Sequence, residues 1–270
     1  MRGKSQKNLP PMLERYELKY TIPRELIEPV SDFASVYCSP DKYSLQTESG
    51  FYRVNNLYFD SPGYLFLRRR MEGAENRFNM RIRSYGDHPE MPYFLEIKQK
   101  IGNVVRKYRA PVTDREWYKV FTEPGAGFCE KNDASAEAKN RALFERSVFS
   151  YNASPKVLTQ YVRKAWVSDV DDYARVTFDM DLRFMHETGY NLVPREEKMV
   201  SCDTEALFDP GCSVILELKC YTSQVPLWMI DLIRYFDLQR RSFSKYMTGV
   251  AEVFGLHRYD AASRVAMVNL

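Results

Sequence analysis

Charged and apolar residues alternate in short segments that recur along this 270-residue chain. Arg15-Tyr16-Glu17-Leu18-Lys19, Met80-Arg81-Ile82-Arg83, Leu95-Glu96-Ile97-Lys98, Tyr161-Val162-Arg163 and Leu216-Glu217-Leu218-Lys219 all have the pattern. In a strand, successive side chains point to opposite faces, so each segment carries its charges on one side and its apolar groups on the other. A sheet built from such strands has one face fit for a core and one fit for a polyanion with a metal ion.

The remaining signals are compatible with one large domain. Barrels often reach this length as a single unit. The net charge is +3, from 39 basic and 36 acidic residues. That balance argues against bulk nucleic-acid binding and makes any basic site local. Five scattered cysteines without a Cys-x-x-Cys pair read as reduced thiols of a cytoplasmic protein, and three isolated histidines make a histidine metal cluster hard to build. No apolar run approaches the roughly 20 residues of a membrane-spanning helix. Residues 1–13 read as a disordered lead-in, 14–255 as the domain and 256–270 as a loose tail.

Strands are expected at 15–21, 52–60, 77–85, 93–101, 104–110, 157–167, 174–184, 199–202 and 213–220, with Gly102-Asn103 as a tight hairpin. Helical spacing marks 23–37 with a kink at Pro29, then 64–71, 114–121, 134–149, 226–238 and 244–254. The expected fold is α+β: a closed antiparallel β-tunnel of about eight strands with a charged interior, coated by several helices, since closure removes the sheet edges.

Taken singly, each alternating segment is explained by an ordinary half-buried strand with its polar face in water. Read together they are dominated by Lys and Arg, with a carboxylate at regular intervals. The apolar parity (Leu18, Met80, Ile82, Leu95, Ile97, Val162, Leu216 and Leu218) would pack outward under the helices. Like charges turned inward need counter-ions, so the interior must be wet and hold an anion, for which Arg forks and Lys ammonium groups suit phosphate. Carboxylates supply the oxygen donors a hard divalent cation requires. Ser242-Phe243-Ser244-Lys245, at a helix start, adds free backbone amides and a positive dipole end; an ordinary Ser cap accounts for the same residues.

These segments, in order with Leu57-Tyr58-Phe59-Asp60-Ser61, Arg175-Val176-Thr177-Phe178-Asp179 and Ser242-Phe243-Ser244-Lys245-Tyr246, resemble the VTC (vacuolar transporter chaperone) polyphosphate polymerase domain of the triphosphate tunnel metalloenzymes, over about Glu14 to Val253. The resemblance implies transfer of the ATP γ-phosphoryl group to a growing polyphosphate chain with manganese or magnesium. It implies that Lys19, Arg81, Arg83, Lys98, Arg163 and Lys219 surround the reacting phosphates. Lys107, Tyr161, Ser244 and Lys245 would bind the chain, with Arg15 beside them. Glu217 would be the main metal ligand, supported by Glu17, Glu96 and Asp179. Arg15 stands where the wider superfamily has the first Glu of Glu-x-Glu-x-Lys, one carboxylate fewer and one cation more, which favours a longer polyanion. A tunnel-type triphosphatase and a non-catalytic polyphosphate- or nucleotide-binding module remain as alternatives. Partners under the leading reading are ATP, polyphosphate and a separate membrane protein, with no nucleic acid.

Overall fold

A computed structural model describes residues 15–102, 104–123, 135–202, 213–221 and 224–255; the lead-in and tail expected at 1–13 and 256–270 lie outside them. The strands are β1 (Arg15–Ile22), β2 (Cys38–Pro40), β3 (Tyr52–Asp60), β4 (Asn76–Tyr85), β5 (Tyr93–Ile101), β6 (Val104–Val112), β7 (Ser154–Ser168), β8 (Ala174–His186), β9 (Val200–Ser201) and β10 (Val214–Tyr221). The helices are α1 (Ile27–Ser35), α2 (Leu65–Met71), α3 (Lys119–Thr122), α4 (Ala136–Tyr151), α5 (Leu227–Tyr235) and α6 (Lys245–Val253). Among the described residues, no helix is long and apolar enough to cross a membrane.

One sheet runs β1-β10-β8-β7-β3-β4-β5-β6, every neighbouring pair antiparallel, with β2 added to β7 and β9 to β8. Among the described residues, the closure expected from sequence is not made by hydrogen bonds, because β1 and β6 end the ladder without pairing with each other. The sheet nevertheless curls, since Lys98 on β5 reaches across to form an ion pair with Glu17 on β1. Edge strand β6 carries Arg106, Lys107 and Arg109, charges that oppose pairing with a second chain.

The convex face is buried as expected under two helical layers. Leu57, Met80, Ile82, Leu95, Ile97 and Leu158 pack with Phe121 of α3 and Phe144 and Val148 of α4. Val176, Phe178, Leu216 and Leu218 pack with Val30 and Ala34 of α1 and Trp228 and Leu232 of α5. Fully burying such side chains contributes about 1.5–3 kcal/mol each, which is why the apolar parity decides which face is covered.

The third layer departs from the expected coat. Tyr246 and Val250 of α6 pack with Val54, Tyr58, Tyr161, Leu182, Phe184 and Ile215, which share the parity of the inward charges. Helix α6 therefore plugs the concave side. It approaches closely because Gly249 has no side chain: a Cβ there would lie 2.6 Å from the Phe184 ring. Asp60 fixes the plug. Its buried carboxylate accepts from the backbone N–H of Ser61 (2.7 Å), Phe66 (2.9 Å) and Leu67 (3.0 Å), and from the Tyr246 hydroxyl (2.8 Å). The Asp60-Ser61 pair is thus the start signal of α2 and an anchor for α6 at once.

Three local expectations change. Pro29 falls in the first turn of α1, where amides have no intrahelical acceptor, so no kink is required. The helix expected at 114–121 shrinks to Lys119–Thr122, because the Asp114 carboxylate turns the chain by accepting from Glu116 N (2.8 Å) and Trp117 is buried in the core. Val162 faces outward but lines a cavity and is not packed beneath a helix.

Candidate functional site

Register brings the inward charges together from strands far apart in sequence. On β1 and β10, Lys19 lies opposite Glu217 and Glu17 opposite Lys219. Glu217 receives Lys219 at 2.9 Å and Lys19 at 3.8 Å. Lys19 also donates to the Phe243 carbonyl at 2.9 Å, tying β1 to the start of α6. On β7 and β8, Arg163 lies opposite Asp179 and grips it with two nitrogens, at 2.6 and 2.7 Å. Lys245, the first residue of α6, reaches the same carboxylate at 2.6 Å.

Glu96 gathers the third group. Arg81 donates to it at 2.7 and 2.8 Å, Lys107 lies at 2.7 Å, Arg109 at 3.5 Å and Arg83 at 3.9 Å. Arg83 is aimed by Asn56, which accepts at 2.8 Å, and by the Tyr161 hydroxyl at 3.2 Å. Arg15 begins β1 opposite Tyr221, and its side chain is outside the described residues. Ser244 is a true N-cap, its hydroxyl accepting from Met247 N at 3.4 Å.

The electrostatics are those of a cation surplus in a desolvated space. Burial alone would raise Glu96, yet Arg83, Arg81 and Lys107 outweigh it and hold the carboxyl well below the usual range. Burial is likewise overcome at Asp179 by Arg163 and Lys245, and at Glu217 by Lys219 and Lys19. Burial brings Lys19 down to about 8 and Lys107 to about 7, against the opposing pull of Glu217 and Glu96. Lys107 is the wetter of the two, with 38% of its side chain exposed against 24%. Tyr161 is lowered despite burial, by Arg163 and Arg83.

Residues 14–254 match the VTC domain family. The chain belongs to that family. Two relatives, both vacuolar transporter chaperone complex subunit 4, come from Trypanosoma cruzi (25% identical, 75% of this chain and 28% of the relative) and Trypanosoma brucei brucei (22% identical, 84% and 31%). The chain spans about three-tenths of the length of those relatives. Among solved structures, a putative adenylate cyclase from Bacillus halodurans is 10% identical with a TM-score of 0.49, over 87% of this chain and 96% of that one. A putative adenylyl cyclase from Hippeastrum with a dominant triphosphatase activity is 15% identical with a TM-score of 0.47, over 89% and 97%.

In this VTC domain the four carboxylates expected to hold a metal are dispersed, and no group of three or more His, Cys, Asp or Glu side chains forms among the described residues. Glu96 and Asp179 are occupied by arginine forks. Glu17 and Glu217 are held by lysines instead, Glu17 by Lys98 and Glu217 by Lys219 and Lys19; they lie on adjacent strands, and burial raises the proton affinity of Glu17, as does Glu217, against a net lowering by Lys98. Two carboxylates fit a hard divalent cation, which completes its shell with other oxygen donors and water.

The sequence reading of the site missed several residues. Arg109 shares the parity of Lys107 and was findable on that signal. Asn56 and Tyr58 are neutral, so a search for charge passes over them, although Tyr58 receives Arg81 at 3.0 Å. Thr177, opposite Glu217, keeps a buried hydroxyl without a hydrogen-bond partner. Arg70 comes from α2, where strand parity gives no guidance; burial and Arg77 lower its proton affinity, while Tyr58 and Glu17 raise it.

Proposed function

We propose that this VTC domain is a metal-dependent polyphosphate polymerase, transferring the γ-phosphoryl group of ATP to a polyphosphate chain inside a basic tunnel formed by the curled sheet. One observation carries the reading. Among the described residues, Lys19, Arg81, Arg83, Lys98, Lys107, Arg109, Arg163, Lys219 and Lys245 converge on four carboxylates, Glu17, Glu96, Asp179 and Glu217. A surplus of buried positive charge is stable only with an anionic guest, and an extended row of it suits a chain of phosphates. Family membership and the subunit 4 relatives agree with this chemistry.

The step needs no strong base, because a terminal phosphate oxygen is already ionised near neutral pH. That oxygen forms a bond to the γ-phosphorus while the bond from γ-phosphorus to the β–γ bridging oxygen breaks, and ADP leaves with the electron pair. Arg81, Arg83 and Arg163 are preoriented by Glu96, Asn56 and Asp179, so their donors are in place before the charge moves. Lys245 and Ser244 present the start of α6 to the chain, and Lys19, Lys98, Lys107 and Lys219 line its path. Glu217 with Glu17 would hold magnesium or manganese, which when bound supplies positive charge at the leaving phosphates. Glu96 and Asp179 act as holders of arginine in this reading.

Both curated relatives are subunits of a complex, and we place this domain in the same setting, on the cytoplasmic side of a membrane reached through a separate partner. Incubation with labelled ATP and manganese tests the activity. Long labelled polymer is expected; free orthophosphate alone would identify a triphosphatase, and tight polyphosphate binding with neither product a binding module.

A further inference from the structure

The convex face is not apolar throughout. A polar row crosses five strands in register: Ser84 on β4 lies opposite Asn55 on β3, Asn55 opposite Gln160 on β7, Gln160 opposite Arg183 on β8, and Arg183 opposite Ser201 on β9. These residues share the outward parity of Leu57, Leu158 and Met185, yet interrupt the packed layer. Asn55 and Gln160 are 0% and 3% exposed. Polar side chains so deeply buried on a face otherwise built for helices require a reason.

The row is wired to hold two guanidinium groups side by side. Gly86 O accepts from Asn55 Nδ2 at 3.1 Å, and Asn55 Oδ1 accepts from Gln160 Nε2 at 2.7 Å. That fixes the Gln160 amide so that Oε1 points to the arginines. It accepts from Arg53 Nη1 at 3.0 Å and from Arg183 Nε at 2.7 Å. One neutral oxygen therefore gathers two cations that would otherwise repel. Their counter-ions are at the surface: Asp87, 2.7 Å from Arg53, is 76% exposed, and Glu196, 2.5 Å from Arg183, is 70% exposed. Exposed carboxylates of this kind are held weakly and give way cheaply to a stronger anion. Beside them lies a cavity of about 500 Å³, also lined by Arg24, Asp181, Ser213 and Ser201, and reaching Tyr161 and Leu182 of the opposite parity through the wall. Arg24 is paired with Asp181, itself in the left-handed backbone region at φ 52°. The volume falls within the range of small-ligand pockets, about 300–1,000 Å³.

We infer that this cavity, bounded by Arg24, Arg53 and Arg183, is a second binding site for a phosphate-bearing anion, built from cations other than those of the interior. Guanidinium forks held rigid by a buried amide match phosphoryl oxygens in geometry and charge, and the serines add hydroxyl donors. The site stands whatever reaction the interior performs.

Isothermal titration calorimetry of the full chain with tripolyphosphate tests it. Two classes of site are expected in the wild type, and Arg53→Gln/Arg183→Gln should remove one and leave the interior class intact. Asp87→Asn/Glu196→Gln, which only strips surface counter-ions, should tighten the outer class about three- to fivefold. That second pair of substitutions keeps the inference testable if the arginine variant fails to fold. Repeating the titration with orthophosphate and with ATP distinguishes the sources: the anion whose second class disappears in the arginine variant is the ligand. A wild type with one class, or stoichiometry and affinity for all three anions unchanged in both variants, overturns the inference.

Discussion

Replacing Glu96 by Gln removes the negative charge at the centre of the most crowded cationic group while keeping the shape. Glu96 is 1% exposed, so water screens little of the loss. Arg81 and Arg83, with side chains 18% and 7% exposed, would be left facing each other; Lys107 and Arg109, at 38% and 35%, can turn toward solvent. Breaking a buried pair by removing one partner costs about 3–5 kcal/mol. At about 2–4 °C per kcal/mol for a domain of this size, the melting temperature should fall by roughly 6–20 °C. A polyanion supplies the missing charge, so the variant should gain more from it than the wild type. Saturation at about one hundred times Kd returns about 2.7 kcal/mol. Urea denaturation and thermal melts, with and without tripolyphosphate, measure both. A variant within about 1 kcal/mol of the wild type, with an equal ligand shift, would refute a buried, guest-requiring cation surplus.

Four further outcomes follow from the geometry. Arg83→Ala and Lys98→Ala should each abolish turnover of labelled ATP while far-ultraviolet circular dichroism stays unchanged; full activity in either removes that residue from the site. Polyphosphate binding needs charged lysines, and burial lowers Lys19 to about 8 and Lys107 to about 7, so affinity should be greatest below pH 7 and decline from there to pH 9. The Lys19→Arg/Lys107→Arg variant should flatten that decline in a fluorescence binding titration. Gly249→Ala puts a Cβ 2.6 Å from the Phe184 ring and 3.1 Å from Val157, and should destabilise by about 1–3 kcal/mol in urea. Asp60→Ala strips acceptors from three backbone amides and from Tyr246, costing at least about 3 kcal/mol by the same measurement, with Tyr246→Phe costing less.

Much of this arrangement was legible in the residues, because strand parity is a local property. Lys19, Arg81, Glu96 and Glu217 each lie between apolar neighbours, and the covered apolar face fixes which way they point. What parity cannot reveal is which strands adjoin. Nothing near Asn55 indicates that Gln160 and Ser84 flank it, so the polar row on the convex face emerges only from long-range pairing. The position of α6 was hidden for a related reason. Its apolar stripe requires a hydrophobic surface, and Tyr58, Tyr161 and Ile215 provide one on the concave side, where the charged neighbours of those residues drew attention to phosphate alone. The missing junction between β1 and β6 is also invisible in sequence, since hydrogen bonding across an edge depends on curvature that no single strand encodes.

That unpaired junction has a mechanical consequence. Most barrels widen only by tearing a run of backbone hydrogen bonds, whereas here the two ends of the sheet are clasped across the gap by the ion pair of Lys98 on β5 with Glu17 on the first strand. Both side chains keep some contact with water, 34% and 22% exposed, and one pair of side chains stands where a closed barrel has a run of backbone hydrogen bonds. On the proposed polymerase reading, a lengthening polymer spreads the wall sideways at this junction and lets it close again, leaving every ladder in the sheet intact.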